Sequence, residues 1–194
     1  MAQLNAKIHE VIVTTLSETG EPHSAPMGVI EQEGVLIIQP FKPSTTYNHL
    51  KRHPQCTINF TDDVRVFAGA LTGHRDWPTK PCDMIEGHYL AQALSHIELE
   101  RIDFEDNDPR AKFIGKVVND VTHAPFRGFN RAQSAVIEAA VLTSRLKMLP
   151  PEKIQQEMAY LQIAIDKTAG ERELEAWQWL VDKITQSGIT LDHD

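Results

Sequence analysis

The stretch IHEVIVTTLSETGEPHSAPMGVI, residues 8–30, decides the fold class. Its first part, residues 8–16, is rich in β-branched side chains, which favour extended structure. Residues 18–22 (ETGEP) form a typical turn signal. A second extended segment runs through residues 25–30, and its Pro26 is typical of a sheet edge, a bulge or the start of a strand. The stretch therefore predicts two extended strands joined by a turn.

Further strand signals continue to about residue 125. The apolar run at residues 35–38 follows a Glu-Gly turn and completes a predicted antiparallel meander of three strands. A helical turn is predicted at residues 64–68, before a loop that contains two prolines. The remaining strands are predicted at residues 56–60, 89–104 and 112–121, with Ile97, Leu99 and Ile102 on one face of the second and the acidic tract 103–108 as a turn.

From Asn130 onward the apolar residues change to helical spacing. Breaks at Pro150-Pro151 and at Gly170 divide this part into three predicted helices. The apolar positions are Ala132, Ala135, Val136, Ala139, Leu142 and Leu146, then Ile154, Met158, Leu161 and Ile165, then Leu174, Trp177, Leu180, Val181 and Ile184. Such stripes are typical of a core or an interface. The sequence therefore predicts an α+β protein, with strands first and helices last.

Composition narrows the class of protein. The chain has 194 residues, which suits one compact domain or one domain with a substantial appendage. Its two cysteines, Cys56 and Cys82, are too few and too far apart for a disulfide framework or a zinc site, so no metal is predicted. The net charge of −8 disfavours nucleic acid as a partner. The sequence lacks a signal-peptide pattern and an apolar run of roughly 20 residues, so we expect a cytoplasmic protein without a membrane partner.

Residues 40–47 (PFKPSTTY) point to a phosphate-binding site. Ser44 follows a proline and predicts the N-cap of a short helix that ends before Pro54. A phosphate monoester binds where backbone N–H groups, hydroxyls and a fixed positive charge meet, and a helix N-terminus supplies the first of these. The hydroxyls would come from Ser44, Thr45 and Thr46, and the charge from Lys42. An ordinary capped helix with a surface lysine fits this segment equally well.

The neighbouring segments offer what a flavin ring requires. Such a ring needs flat apolar contact and polar groups along its pyrimidine edge. Gly28 would let the backbone approach the ring closely. The candidate apolar contacts are Pro26, Met27 and Phe41, and the candidate polar contacts are Asn59 and Thr61. These residues meet only if the barrel brings the ends of several strands together.

Other catalytic or metal signals are absent or weak. The sequence has no P-loop, dinucleotide-binding glycine motif, zinc-protease motif or nucleophile elbow. His49 and His53 lie four residues apart and could grip a metal, although we favour two solvent-facing histidines on a short helix. The adjacent Asp62 and Asp63 could bind a metal only in a loop or at a strand end, because neighbours on a strand point to opposite faces.

Four segments together resemble the DUF447 family, which belongs to the FMN-binding split-barrel superfamily alongside flavin reductases and pyridoxamine-phosphate oxidases. They are residues 10–15 (EVIVTT), 25–29 (APMGV), 41–47 (FKPSTTY) and 59–63 (NFTDD). Residues 128–132 (GFNRA) and 135–139 (AVIEA) resemble the opening of the helical C-terminal part of that family. The match covers most of the chain in order, and its specificity comes from the set of segments.

The resemblance implies an antiparallel Greek-key split β-barrel over residues 1–125 and a helical segment over residues 126–194 packed on it. It also implies FMN as the cofactor, near the interface of a homodimer. By matching motif, Lys42, Thr45 and Thr46 would meet the phosphate, and the rest of the flavin would be lined by Thr15, Met27, Gly28, Asn59 and Thr61. Asn130 and Arg131 would serve the phosphate or a substrate anion, or else a helix cap and a surface charge.

Three functions fit these expectations. The first is an FMN-dependent oxidoreductase that passes hydride between a nicotinamide or pterin and a small acceptor, with the flavin performing the redox step. The second is a non-catalytic flavin-binding carrier, sensor or assembly protein. The third is a structural dimer with an empty ancestral site, which the presence of Lys42, Thr45 and Thr46 disfavours. Family members occur in organisms with methanopterin-linked one-carbon metabolism, which indicates a pterin or one-carbon substrate by association.

Overall fold

A computed structural model describes residues 6–191, which form two compact units. The barrel unit comprises the residues up to 61 together with residues 77–125, and the helical unit comprises residues 62–76 together with those from 126 onward. The sequence groups residues 62–76 with the strands. In the structure they cluster with the helices, because Val64 and Ala68 pack in the apolar core of the helical unit.

Six antiparallel strands close into a barrel in the order β1-β2-β3-β8-β7-β4. The predicted meander is confirmed, since β2 pairs with β1 on one side and with β3 on the other. Because β4 returns to the far side of β1, the strands β4-β1-β2-β3 form a Greek key. The bounds are β1 Lys7–Leu16, β2 Pro22–Gln32, β3 Val35–Ile38, β4 Gln55–Phe60, β7 Ser95–Glu105 and β8 Lys112–Thr122.

The predicted strand at residues 89–104 is wrong in one respect, since the chain breaks it in two. His88–Leu90 forms β6 and pairs with β5 (Thr79–Pro81) in a separate two-stranded sheet. A turn then bonds the Ala93 amide to the Leu90 carbonyl before β7 begins. The sheet β5–β6 packs against β1 and β4, so it covers polar side chains on the outer face of the barrel.

Two details of β7 also differ from expectation. Ile102 does not share the inward face of Leu99, because the register against β8 shifts between Arg101 and Asp103 and leaves Ile102 as the extra, exposed residue of a bulge. The acidic tract does not begin the turn, since β7 continues to Glu105 and the connection to β8 begins at Asp106.

Side chains from alternate strand positions fill the barrel. Inward positions on paired strands are directly opposite one another, as in the pairs Cys56–Leu99 and Ile58–Ile97. Val11 and Val13 on β1 and Phe113 on β8 are completely buried. The inner cluster consists of Val11, Val13, Val29, Leu36, Ile38, Leu50, Cys56, Ile58, Leu99 and Phe113. This packing explains why the strands are rich in β-branched residues.

The helical unit contains α2 (Arg65–Thr72), α3 (Arg131–Ser144), α4 (Pro151–Thr168) and α5 (Glu171–Gln186). The three predicted C-terminal helices are confirmed, with Pro150 and Gly170 at the N-caps of α4 and α5. Most of their apolar residues meet in one core, which includes Val136, Ile154 and Leu180, whereas the predicted stripe residue Leu174 is half exposed. Within residues 6–191, none of the helices combines the length and apolar character needed to cross a bilayer.

Candidate functional site

The short helix α1 (Thr45–Arg52) begins where the sequence predicts it, with Ser44 as its N-cap. The Ser44 hydroxyl accepts a hydrogen bond from the Tyr47 amide at 3.1 Å. Thr45 is exposed, whereas the Thr46 side chain is almost fully buried. The first turn contains no acidic residue, so no carboxylate within it offsets the positive end of the helix dipole. This helix start can therefore bind an anion through its free amides and the Thr45 hydroxyl.

Lys42 lies just before this helix and already holds two carboxylates. Its Nζ is 2.8 Å from Asp106 Oδ1 and 2.9 Å from Asp108 Oδ1. The hydrogen bonds to Asp106 and then Asp108 raise the pKa of Lys42 above its ordinary value. Asp106 also accepts from Lys51 Nζ at 2.9 Å and from the Tyr47 hydroxyl at 2.9 Å. Lys42, Tyr47, Lys51, Asp106 and Asp108 are called the lysine cluster below.

A second cation, Arg110, lies beside the same loop. Its guanidinium carbon is 3.8 Å from the ring centroid of Phe41, which is more than half exposed. An isolated bridge between the backbones of Phe41 and Arg110 holds the two segments together, and the Lys42 amide bonds to the Pro109 carbonyl at 2.9 Å. Sequence reasoning missed Arg110, because 67 intervening positions separate it from Lys42 and only the barrel connection β7–β8 brings it here.

The first half of β2 provides an open strand edge. β3 pairs only with the residues from Val29 onward, so residues 24–28 have β1 on one side and no strand paired on the other within the described chain. Pro26 lies on this edge, as its sequence context predicts. Met27 is partly buried against the barrel core, and Gly28 is exposed. A Cβ on Gly28 would lie 3.0 Å from the Ile8 side chain, so only glycine fits here without a shift of that side chain.

Thr15 is brought into contact with α1 through a histidine. Its hydroxyl lies 2.9 Å from His49 Nδ1, and the His49 ring meets the His23 ring edge-on at 5.6 Å between centroids. Burial, and then the charge of Arg52, lower the pKa of His49 below its ordinary value. His49 is therefore a neutral imidazole at pH 7, able to accept or donate a proton.

Asn59 is fully buried beneath this region. Its amide nitrogen donates to the Ile12 carbonyl at 3.0 Å and to the Thr14 hydroxyl at 3.1 Å, and its oxygen accepts from the Leu90 amide at 2.8 Å. Both ends of the amide therefore join β1, β4 and β6. The predicted contact of Asn59 with a flavin stays a prediction, and its present role is to hold Thr14 and the end of β1 in place.

The remaining predicted residues are more scattered. Thr61 directly follows β4 and is partly exposed. Arg131 is the exposed first residue of α3 in the helical unit, where the side chain of Asn130 caps the helix through the Ala132 and Gln133 amides. The cap predicted for Asn130 is thus confirmed. The structure brings together the predicted residues of β1, β2 and the 41–46 segment, because α1 packs against both strands.

His49, His53 and Asp63, which the sequence offered only as weak metal candidates, have other partners in the structure. His49 and His53 bond to different partners, the Thr15 hydroxyl and the Glu86 carbonyl, and both are partly buried rather than solvent-facing. Asp63 is buried and paired with Arg65, whose Nη2 is 2.7 Å from Asp63 Oδ2. Asp63 therefore already has a cationic partner, Arg65.

The barrel unit also contains a cavity of about 210 Å³. It is lined by His9, Phe60, Val117 and Asp120, among others, and contains none of the predicted site residues. Pockets for drug-sized ligands are typically about 300–1,000 Å³, so this cavity is too small for a flavin nucleotide. The open edge of β2 and the start of α1 are the better candidate for the site.

Comparison with known proteins places the chain in a family. The model of the N-terminal domain of a protein of unknown function, DUF447, matches residues 9–124, and the model of the remainder of DUF447 matches residues 130–182. The chain belongs to the DUF447 family. An uncharacterised protein from Methanocaldococcus jannaschii is 26% identical over 145 residues, which cover 72% of this chain and 74% of that protein.

Solved structures share the fold of this DUF447 protein. An FMN-bound DUF447 protein from Methanosarcina mazei has a TM-score of 0.78 at 20% identity, covering 92% of this chain and 96% of that one. A nitrilotriacetate monooxygenase component B homologue from Mycobacterium thermoresistibile has a TM-score of 0.50 at 20% identity, covering 63% of this chain and 73% of that one. The predicted α+β fold with a split barrel is confirmed.

Proposed function

We propose that this protein binds FMN at the α1 end of the barrel unit and acts as a flavin-dependent oxidoreductase on a small molecule. The observation that supports this most is the position of the α1 N-terminus, which lies beside two cations, Lys42 and Arg110, and packs against the strand with the open edge. The FMN-bound family member from Methanosarcina mazei shares the fold over nearly the whole chain, which supports the same cofactor here.

The phosphate of FMN would bind at the start of α1. The free amides of the first turn and the exposed Thr45 hydroxyl supply neutral donors, and Lys42 supplies a charge-assisted one. Lys42 would exchange a carboxylate of Asp106 or Asp108 for a phosphate oxygen. Arg110 can offer the edge of its guanidinium while its face stays on Phe41. Ser44 would contribute through the cap that it forms with Tyr47.

The flavin ring would lie along the open edge of β2. The backbone groups that residues 24–28 direct away from β1 can bond to its pyrimidine edge, since backbone N–H and C=O groups need partners when a ligand covers them. Met27 and Phe41 offer apolar surface, and Gly28 leaves room above the strand. A second copy of the chain would cover this surface in a homodimer, because an open strand edge with an exposed phenylalanine is suited to contact with another chain.

Bound FMN would supply the redox chemistry, and the chain would bind and orient it. His49 is a neutral imidazole hydrogen-bonded to a predicted flavin-site residue, Thr15. It would hold or move a proton at Nδ1 or Nε2 beside the ring. The reaction partner of the flavin would be a nicotinamide or a pterin, in line with the association of the family with one-carbon metabolism.

Titration of flavin-free protein with FMN and riboflavin tests the phosphate site. Lys42→Ala combined with Thr45→Val should weaken FMN binding, because each charge-assisted hydrogen bond contributes roughly 1.5–3 kcal/mol, or about 10–150-fold in affinity. Riboflavin lacks the phosphate and should bind both proteins alike. Lys116→Ala, which removes an exposed lysine from β8, is the matched control. Equal losses for FMN and riboflavin would show that the phosphate lies elsewhere.

Anaerobic photometry of the FMN-loaded protein tests the redox role. NADH, NADPH or a reduced pterin should bleach the flavin absorbance, and a small acceptor should restore it. A yellow protein that no donor reduces would instead support the non-catalytic binder. Light scattering of the loaded protein gives the oligomeric state, and a monomer would remove the homodimer from the proposal while leaving flavin binding intact.

A further inference from the structure

A second cluster of chemically reactive side chains lies on the outer face of the barrel, under the sheet β5–β6. It consists of Cys82, His96 and Glu98, whose ligand atoms all lie within 4.8 Å of one another. His96 and Glu98 are two residues apart on β7 and therefore point to the same face. Cys82 directly follows β5, and its amide bonds to the Gly87 carbonyl at 2.9 Å. Strand β7 and the β5–β6 turn thus hold the three side chains close together.

We propose that Cys82, His96 and Glu98 bind a divalent metal ion of the zinc class. A thiolate, an imidazole and a carboxylate are the ligand types that zinc takes in proteins, and three of them leave the fourth tetrahedral position for water. Zinc-to-ligand bonds of about 2.0–2.2 Å in a tetrahedron separate nitrogen and oxygen ligands by about 3.4 Å. His96 Nε2 and Glu98 Oε1 are 3.4 Å apart.

Neighbouring side chains orient the histidine as a ligand. His96 Nδ1 and His123 Nε2 lie 2.8 Å apart, so one nitrogen donates to the other. The Tyr89 ring stacks on His96 with 4.0 Å between centroids and on His123 with 4.9 Å. These contacts direct Nε2 toward Glu98 and Cys82. A hydrogen bond to the second ring nitrogen is the usual outer-shell support of a metal-binding histidine.

Glu98 is oriented just as firmly. Its Oε1 accepts from the Asn119 amide at 2.9 Å and from the Asp83 amide at 3.2 Å, and its Oε2 accepts from the Met84 amide at 2.8 Å. The Asp83 and Met84 amides follow Cys82 directly, so the same bonds that fix the carboxylate also fix the thiol. Metal would replace only the 3.4 Å contact between His96 and Glu98, the longest in the set.

The charges of the cluster also favour a cation. Glu98 is completely buried, and within residues 6–191 its ion-pair partner is His96 rather than a lysine or arginine. A buried carboxylate is costly unless a cation pairs with it. A divalent ion would balance one carboxylate and one thiolate. None of the three ligands belongs to the proposed flavin site, so this inference does not depend on FMN binding.

Cobalt substitution tests the site in the full-length, untagged protein after removal of flavin and metal. One equivalent of Co²⁺ should bind and produce a near-ultraviolet thiolate-to-cobalt absorption together with visible bands of a tetrahedral ion. Zn²⁺ should displace it and abolish both. If neither Co²⁺ nor Zn²⁺ binds with one-to-one stoichiometry in the micromolar range, the proposal is wrong.

Two variants locate the ion. Cys82→Ser should abolish the sulfur absorption and reduce affinity by more than the roughly 10–100-fold that loss of an outer-shell partner costs. Cys56→Ala is the matched control for the other cysteine, whose side chain lies in the barrel core, and should keep the absorption. His123→Phe keeps the ring stack but removes the bond to His96, so it should weaken Co²⁺ binding roughly 10–100-fold. An unchanged cobalt spectrum in folded Cys82→Ser protein would place the metal elsewhere.

Discussion

Two carboxylates of the barrel unit, Asp106 and Glu98, are both ionised and both hold several donors, yet they differ in their access to water. Asp106 sits in the lysine cluster with more than a third of its side chain exposed. Glu98 is completely buried, and its donors are amides and a histidine. Lysine donors, Lys42 first, lower the pKa of Asp106, whereas burial raises that of Glu98 and the hydrogen bonds from Asn119, Met84 and Asp83 outweigh it.

This difference decides which contacts a ligand can replace. An exposed ion pair contributes little, because water solvates both charges almost as well as they solvate each other. Lys42 can therefore leave Asp106 for a phosphate at small cost. A buried carboxylate has no water to replace a lost donor, so each bond to Glu98 is costly to break. The lysine cluster is suited to exchange of ligands, and the Glu98 cluster is suited to hold one arrangement.

The largest expected effect on stability comes from removing the buried carboxylate, Glu98. Glu98→Ala should lower the free energy of unfolding by about 3–5 kcal/mol, because it leaves the donors of Asn119, Asp83 and Met84 without an acceptor. Glu100→Ala on the same strand removes an exposed pair with Lys116 and should cost about 1 kcal/mol or less. Urea denaturation with a chelator present measures both, and similar losses would contradict the distinction.

A smaller effect, on FMN affinity, is expected from removing the charge of the exposed carboxylate, Asp106. Asp106→Asn should tighten FMN binding by up to about fivefold, since it releases Lys42 from one of its two weak surface ion pairs. The asparagine oxygen can still accept from Tyr47, so the loop should keep its shape. Asp103→Asn removes the same charge from an exposed position on β7 and is the control. Weaker FMN binding in Asp106→Asn would mean that this carboxylate positions Lys42 for the phosphate.

The smallest expected effect concerns pH. Burial, and then Arg52, lower the pKa of His49 from 6.5, so the unfolded imidazole binds a proton more readily than the folded one. The stability that this difference contributes is present above pH 6.5 and is lost as the pH falls toward the folded pKa. His49→Gln should therefore make the free energy of unfolding fall less steeply below pH 6.5. Asn48→Ala replaces an exposed neutral neighbour and should leave the slope unchanged. The pKa of His123 is also lowered, so part of the pH dependence should remain in both variants.

Local patterns predicted much of the fold. The β-branched stretch of β1, the turn after it and the Ser44 cap are properties of neighbouring residues, and each appears in the structure as predicted. The same holds for the three C-terminal helices, whose stripes and breaks lie within single segments. Strand β5 and the bulge at Ile102 were missed, because both depend on which strand lies alongside rather than on local composition.

The candidate sites divide along the same line. Lys42, Ser44 and Thr45 lie within four positions, so their proximity follows from one loop and the first turn of one helix. Arg110 and Asp106 reach that region from the β7–β8 connection, and His49 of α1 meets Thr15 only because α1 packs against β1. Sequence spacing contains no signal for such meetings.

By itself the sequence determined that strands come first and helices last, that Ser44 caps the start of α1 and, by resemblance, the family. Only the tertiary structure decided that Lys42 pairs with two aspartates and that the buried Asn59 side chain bonds to the Ile12 carbonyl of β1. It alone also placed Cys82 next to His96 and Glu98. The physical reason is the range of the forces involved. Propensity, capping and helix dipoles act over a few residues, whereas burial and ion pairing depend on which distant segments the closed barrel places side by side.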